Sequence, residues 1–178
     1  MYTVDMAKIV YVDNNDNVIG AGSVTEAVER GIAHRIARVY VFNSQGQLLL
    51  QKRALGLRSA PDKWDDSAAG HVDEGEEYLA AATRELAEEM GVHNVELTET
   101  ARYYTEEPEL GSINTPRKRF NMLYRAVYDG AVTPDEREVA EARWIDLPAL
   151  RQWLQECPDD FTRGFRTSFV KYLEMQSV

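Results

Sequence analysis

The sequence predicts a protein of the α/β class, a mixed β-sheet covered by helices on both faces. Three observations predict it. Short runs rich in β-branched and aromatic residues alternate along the chain with segments of helical periodicity. Clusters of Gly, Asn, Asp and Pro separate these runs. The 178 residues, 44% of them hydrophobic, suit one domain with a real core and are too apolar for a disordered chain.

Taken in order, residues 7–12 and 18–21 are short apolar stretches around Asn14, Asn15, Asp16 and Asn17, the pattern of a hairpin. Asp13, Asn15 and Asn17 hint at a calcium loop, but Val18 stands where Gly is needed and Val24 where Glu is needed. Ser23 and Glu26 form a capping box and Gly31 a stop, which predicts a helix over 24–30. Residues 34–42 and 47–53 read as strands joined by a turn at 43–46. A loop over 54–63 and the stretch 64–69 lead to a helix over 78–90, stopped by Gly91. Beyond it the pattern predicts a strand over 95–104, a polar loop over 105–116, strands over 117–128 and 144–145, and a helix over 148–155 that starts with Pro. Phe161, Phe165, Phe169 and Tyr172 recur at helical spacing, so the chain closes with an amphipathic helix.

A net charge of −10 argues against binding a nucleic-acid polymer or an anionic membrane, while leaving room for a small phosphorylated substrate beside a metal ion. Cys157 is the one cysteine, so no intrachain disulfide forms and a reducing, cytoplasmic setting is expected. No apolar run is long enough to span a bilayer and no signal segment opens the chain.

The chemistry concentrates in GHVDEGEEYLAAATRELAEEMGV, residues 70–92. Glu85, Glu88 and Glu89 stand at helical spacings that put three carboxylates on one face. Side by side they repel, and a divalent cation removes that cost; Mg²⁺ favours carboxylates together with waters and substrate phosphates. A helix of such composition is commonly just a solvated face. Glycines at both ends, and opposite charges at Glu76 and Arg84 across the loop–helix junction, distinguish this one.

This stretch resembles the Nudix box, Gx5Ex7RE-aliphatic-xEExG-aliphatic, and Gly70, Glu76, Arg84, Glu85, Leu86, Glu88, Glu89, Gly91 and Val92 fill every constrained position. The resemblance implies a Nudix-type α/β/α sandwich over residues 34–178, with residues 1–33 added in front, and Leu79, Leu86 and Met90 of the box helix turned to the sheet. It also implies Mg²⁺-dependent hydrolysis (Mn²⁺ being the alternative ion) of a diphosphate linkage, generally in a nucleoside diphosphate derivative, by a chain that is often a homodimer. Metal ligands would be Glu85, Glu88, Glu89 and the Gly70 carbonyl, with Arg84 and Glu76 as a brace. The general base would come from the box glutamates or from Glu106, Glu107 or Glu109. Arg53 and Lys63, with Lys52, are candidates for phosphate contacts, and Tyr103 and Tyr104 for stacking on a base.

A second resemblance covers His34 to Glu76, which is similar to the type I isopentenyl diphosphate isomerases of the same fold. Their proton-transfer cysteine falls on Ala69, and a methyl group donates no proton. His34 and His71 match two of their metal-binding histidines, but Arg117 and Arg119 stand where the acids should be, and guanidinium groups do not ligate cations. Two apart on a strand, these arginines share a face and are candidates to clamp a substrate phosphate or carboxylate.

Overall fold

A computed structural model describes residues 7–108 and 115–176. The expectation for Glu109 therefore lies outside the described residues. The hairpin strands β1 (Ile9–Val12) and β2 (Val18–Gly22) come first, then α1 (Val24–Arg30), β3 (Ala33–Phe42) and β4 (Leu48–Arg53). Two short strands follow, β5 (Trp64–Asp65) and β6 (Ala68–His71), and then α2 (Tyr78–Met90). The chain continues through β7 (Thr98–Glu107), β8 (Arg117–Val127), β9 (Val139–Ile145), α3 (Leu147–Glu156) and α4 (Arg163–Gln176).

The fully buried β3 organises the sheet. It pairs antiparallel with β1 and β6 and parallel with β8, from His34 opposite Arg119 to Phe42 opposite Val127. β7 extends the sheet beyond β8, and β4 carries β9 and β5. One parallel pairing among antiparallel ones makes the sheet mixed, as the order of elements predicts.

Alternation along β3 separates two cores. Ala37, Val39 and Val41 pack with Leu86 and Met90 of α2; Tyr40 and Phe42 pack with Leu150 of α3 and Phe165, Phe169 and Tyr172 of α4. The molecule is thus an α/β/α sandwich.

Several sequence expectations need correction. β7 starts at Thr98 rather than 95 and runs on through Glu107, so Thr105, Glu106 and Glu107 are strand, not loop. Pairing with β8, Glu106 opposite Lys118 and Glu107 opposite Arg117, supplies the partner charges that a polar run lacks when read alone. β9 begins at Val139, well before Trp144, because the backbone of β4 extends it. Phe161 is buried but precedes α4, at the end of a 3-10 turn over Pro158–Asp160. Leu79 is 50% exposed, while Tyr78, Ala81, Ala82, Leu86 and Met90 form the buried stripe of α2. That stripe follows i, i+3, i+4 spacing from Tyr78, and Leu79 falls one position off it.

The calcium-loop reading also resolves physically. The Asp13 side chain accepts from the backbone N–H groups of Asn15 and Asn17 at 2.8 and 2.9 Å, so it is spent on the hairpin turn.

Candidate active site

The helix α2 presents its acids unequally. Glu89 is 4% exposed, and its Oε2 accepts from the Gln51 amide at 2.7 Å and from the Ala69 N–H at 3.0 Å. The Glu85 side chain, 14% exposed, lies against β6. A Cβ built on Gly70 would stand 1.9 Å from Glu85 Oε1, so only glycine admits this carboxylate so close to the backbone. The Glu88 side chain remains 61% exposed and faces solvent. The three carboxylates expected on one face differ in depth: a 3.6-residue period puts Glu89 under the helix, Glu85 at its flank and Glu88 outside.

Arg84 ties the loop to the helix. Its guanidinium donates Nε to Glu76 Oε1 and Nη2 to Glu76 Oε2, both at 2.8 Å, and Nη2 also reaches the His71 carbonyl at 3.0 Å. The same group donates to Glu85 at 2.7 Å and to Glu88 at 3.3 Å. Hydrogen bonding from Arg84 holds the Glu76 carboxyl below its ordinary range. Glycine at 91, with φ of 65°, closes α2 in the left-handed region, and the following segment docks there: Thr133 and Asp135 N–H groups donate to the Met90 and Glu89 carbonyls.

Burial pushes the Glu85 carboxyl up to about 7; Glu88 and Glu138 add repulsion, and Arg84 opposes it. Burial likewise raises Glu89 well above the ordinary range, with repulsion from Glu85 and Glu138. Glu138 is an acid that sequence reasoning missed. It lies far along the chain and reaches the site because the Ala54 N–H holds its carbonyl at 2.8 Å beside β4. Gln51 was missed too; nothing in a strand pattern marks one inward glutamine as a carboxylate's partner.

The donors are hard, anionic oxygens that raise one another's pKa, and the glycine notch lets Glu85 meet the main chain, which is the chemistry that Mg²⁺ or Mn²⁺ takes. Among the described residues no three His, Cys, Asp or Glu side chains already converge on one point. Arg84 stands between Glu76, Glu85 and Glu88, so an ion at Glu85 replaces a guanidinium contact. The donor set fits the ion on those terms.

The strand β6 is a seam between two polar clusters. Gly70 faces α2; Ala69 and His71 face the other side, where β3 supplies His34 and Arg38 and β8 supplies Arg117, Arg119 and Asn121. The His34 and His71 rings lie 5.3 Å apart. Burial lowers their pKa values to about 4 and about 3, and Arg119 and Arg117 add to the shift, so both rings are neutral near pH 7. Arg119 pairs with Glu107 at 3.6 Å. Arg38 pairs with Asp66, and its Nε donates to Asn121 at 3.0 Å.

The other candidates are engaged locally. Arg53 donates to the Ser59 carbonyl at 3.1 Å and faces Asp65 at 3.6 Å. Lys63 reaches the Asp159 carbonyl, and Lys52 pairs with Asp62 at 2.7 Å. Tyr103 packs on the α4 core, and Tyr104 lies against Phe120 with ring centroids 5.0 Å apart. Cys157 is exposed at the end of α3, while Ala69 occupies the isomerase cysteine's place.

Comparison with known proteins agrees with this geometry. The NUDIX domain profile matches residues 33–165. An isopentenyl-diphosphate Delta-isomerase of Serratia proteamaculans is 33% identical over 159 residues, covering 89% of this chain and 87% of that protein. An uncharacterised Nudix hydrolase of Pseudomonas aeruginosa is 34% identical, covering 87% and 89%. The fold is shared with the crystal structure of DR0079 from Deinococcus radiodurans, at a TM-score of 0.69 and 23% identity, covering 84% of this chain and 89% of that one. It is shared also with the NUDIX domain of Shewanella oneidensis NrtR in complex with ADP ribose, at 0.60 and 15%, covering 81% and 88%. Matched over most of its length and carrying every position of the box, the chain belongs to the NUDIX domain family and is an enzyme of its hydrolase class, which acts on phosphoric anhydride bonds.

Proposed function

We propose that this protein is a Mg²⁺-dependent hydrolase that cuts the diphosphate linkage of a small nucleoside diphosphate-type molecule, with Mn²⁺ as an alternative ion. The observation that carries the reading is the placement of Glu85 and Glu89 against the β6 backbone at Gly70 and Ala69, braced by the Arg84–Glu76 pair. Glu85, Glu89 and the Gly70 main chain would hold the ion, with Glu88 joining from solvent. The ion, when bound, supplies a Lewis acid for the phosphoryl oxygens and lowers the pKa of the attacking water.

The chain's own residues do the rest. Gln51 and the Ala69 N–H fix the Glu89 carboxylate at one rotamer. Arg84 holds the loop over the helix and positions Glu85. Among the described residues Glu85, Glu89 and Glu138 are the proposed general-base candidates, and Glu107 pairs with Arg119. Arg53, Lys63, Arg117 and Arg119 are the proposed phosphate-facing cations. A lone, exposed cysteine suits a reducing compartment such as the cytoplasm. A homodimer is the proposed assembly.

The test is incubation with Mg²⁺ and a panel of nucleoside di- and triphosphates, nucleotide sugars, dinucleotides, prenyl diphosphates and ADP ribose. Release of a monophosphate product supports the reading. A pure, folded protein that turns over none of them overturns it.

A second reading, isopentenyl diphosphate isomerisation, is favoured by His34 and His71 and by the names of relatives at 31–35% identity. Against it stand Ala69 and the Arg117–Arg119 pair. Deuterium incorporation into isopentenyl diphosphate at turnover rate would establish it.

A further inference from the structure

The cluster behind β6 is built for a ligand that the box chemistry does not use. His34 is 1% exposed, and the Nε2 atoms of both His34 and His71 are buried without a hydrogen-bond partner among the described residues. The two rings lie 5.3 Å apart, and a buried ring nitrogen on each is costly to keep unless something bonds to it. The strands beside these rings carry guanidinium groups on the same face: Arg38 on β3, and Arg117 and Arg119 on β8. Arg119 is register partner to His34, and Arg117 lies on the same face of β8. Among the described residues Glu107 lies 3.6 Å from Arg119, and Asp66 is bound to Arg38. The Arg119 and Glu107 side chains keep 15% and 17% exposure, so the cluster opens to solvent at that end. A cation would meet arginines here; an oxyanion would meet arginine forks and imidazole N–H groups.

We propose that this cluster is a second substrate subsite that binds an oxyanion, a phosphate or a carboxylate, carried by the substrate away from the bond that is cut. Arg117 and Arg119 supply the charge, and Nε2–H of His34 and His71 supplies the directed donors. The inference rests on the hydrolase reading and narrows it. His71 follows Gly70 directly but on the other face of β6, and β8 lies beyond β3 from it. The favoured substrate class is therefore a diphosphate compound that carries a further acidic group apart from the scissile linkage.

The chain has three histidines, and His93 is exposed, which provides an internal reference. The intact protein, with ¹⁵N-labelled imidazoles and no Mg²⁺, is titrated with inorganic phosphate and separately with acetate. The expected result is saturable movement of the His34 and His71 signals, with Nε2 taking the protonated-nitrogen position, while His93 stays. Arg117→Gln should weaken this response about tenfold; Arg119→Lys, which keeps the charge and loses the fork, should weaken it too and serves if the neutral residue at 117 fails to fold. No saturable movement with either anion, or an undiminished response in both variants, overturns the proposal. The phosphate and acetate arms tell which acid is preferred. With active enzyme, the KM advantage of substrates bearing the second acid over those lacking it should shrink about tenfold in Arg117→Gln. An unchanged ratio overturns the subsite and leaves the hydrolase reading standing; an intact imidazole response in a protein that hydrolyses nothing overturns the hydrolase reading instead.

Discussion

Two residues of the same type, four apart on α2, do different things. Glu89 is locked by Gln51 and the Ala69 N–H, and Glu85 touches the Gly70 backbone. Changing either to Gln keeps the volume and removes the anionic oxygen. Both Glu85→Gln and Glu89→Gln should lower kcat about 100-fold or more with melting curves near the parent's, as followed by product release and circular dichroism. The spacing of these acids was legible in the sequence, and so were Arg84 and Glu76. Their ranking was not, because burial depends on which flank of the helix meets β6. A histidine gives a second test at this scale. His34 has a folded pKa of about 4, below its ordinary 6.5, so the unfolded chain binds more protons between those values. Stability is thus present above pH 6.5 and lost as pH falls toward 4. Urea denaturation at pH 7 and pH 4.5 should show a larger loss for the parent than for His34→Gln.

At the scale of elements, α2 shows what periodicity reads well and where it slips. Leu86 is 1% exposed and central to its core, so Leu86→Ala should cost about 2–5 kcal/mol. Leu79 is half exposed, and Leu79→Ala should cost under about 0.5 kcal/mol; chemical denaturation of the two variants checks the contrast. Strand β7 slipped for a different reason. Its outer end, Thr105 to Glu107, is polar and followed by Pro, and what makes it strand is the row of partner charges on β8. Such information resides in a neighbour absent from any local window. The start of β9 was hidden in the same way, since it depends on pairing with β4 across most of the chain's length.

For the whole molecule, composition and element order were enough for the layered α/β architecture, yet they gave no hint of how the N-terminal hairpin is fastened. Asp16, 4% exposed, is the knot. Its Oδ1 accepts from Arg35 Nε at 2.8 Å, its carbonyl from Arg35 Nη2 at 2.7 Å, and its Oδ2 from the Tyr78 hydroxyl at 2.9 Å, with Arg102 on the same oxygen. Sequence reading placed Asp16 in a turn, correctly, but a turn residue carries no mark of a distant arginine. Asp16→Ala leaves the buried Arg35 with the backbone carbonyl at 16 and the exposed Glu77, 3.2 Å away, and should cost about 3 kcal/mol, measured as a shift in the denaturation midpoint.

That knot bears on how the protein can be dissected. The family profile begins at residue 33 and so leaves Asp16 out, whereas it includes Tyr78, the first residue of the box helix. A chain trimmed to the profile's edge would leave Arg35 with Glu77 alone and the Tyr78 hydroxyl without Asp16, at the joint where the helix leaves its loop. The leading thirty-odd residues are then better regarded as the keystone over the helix's entrance than as a detachable preface, and truncated versions will say little about the intact enzyme.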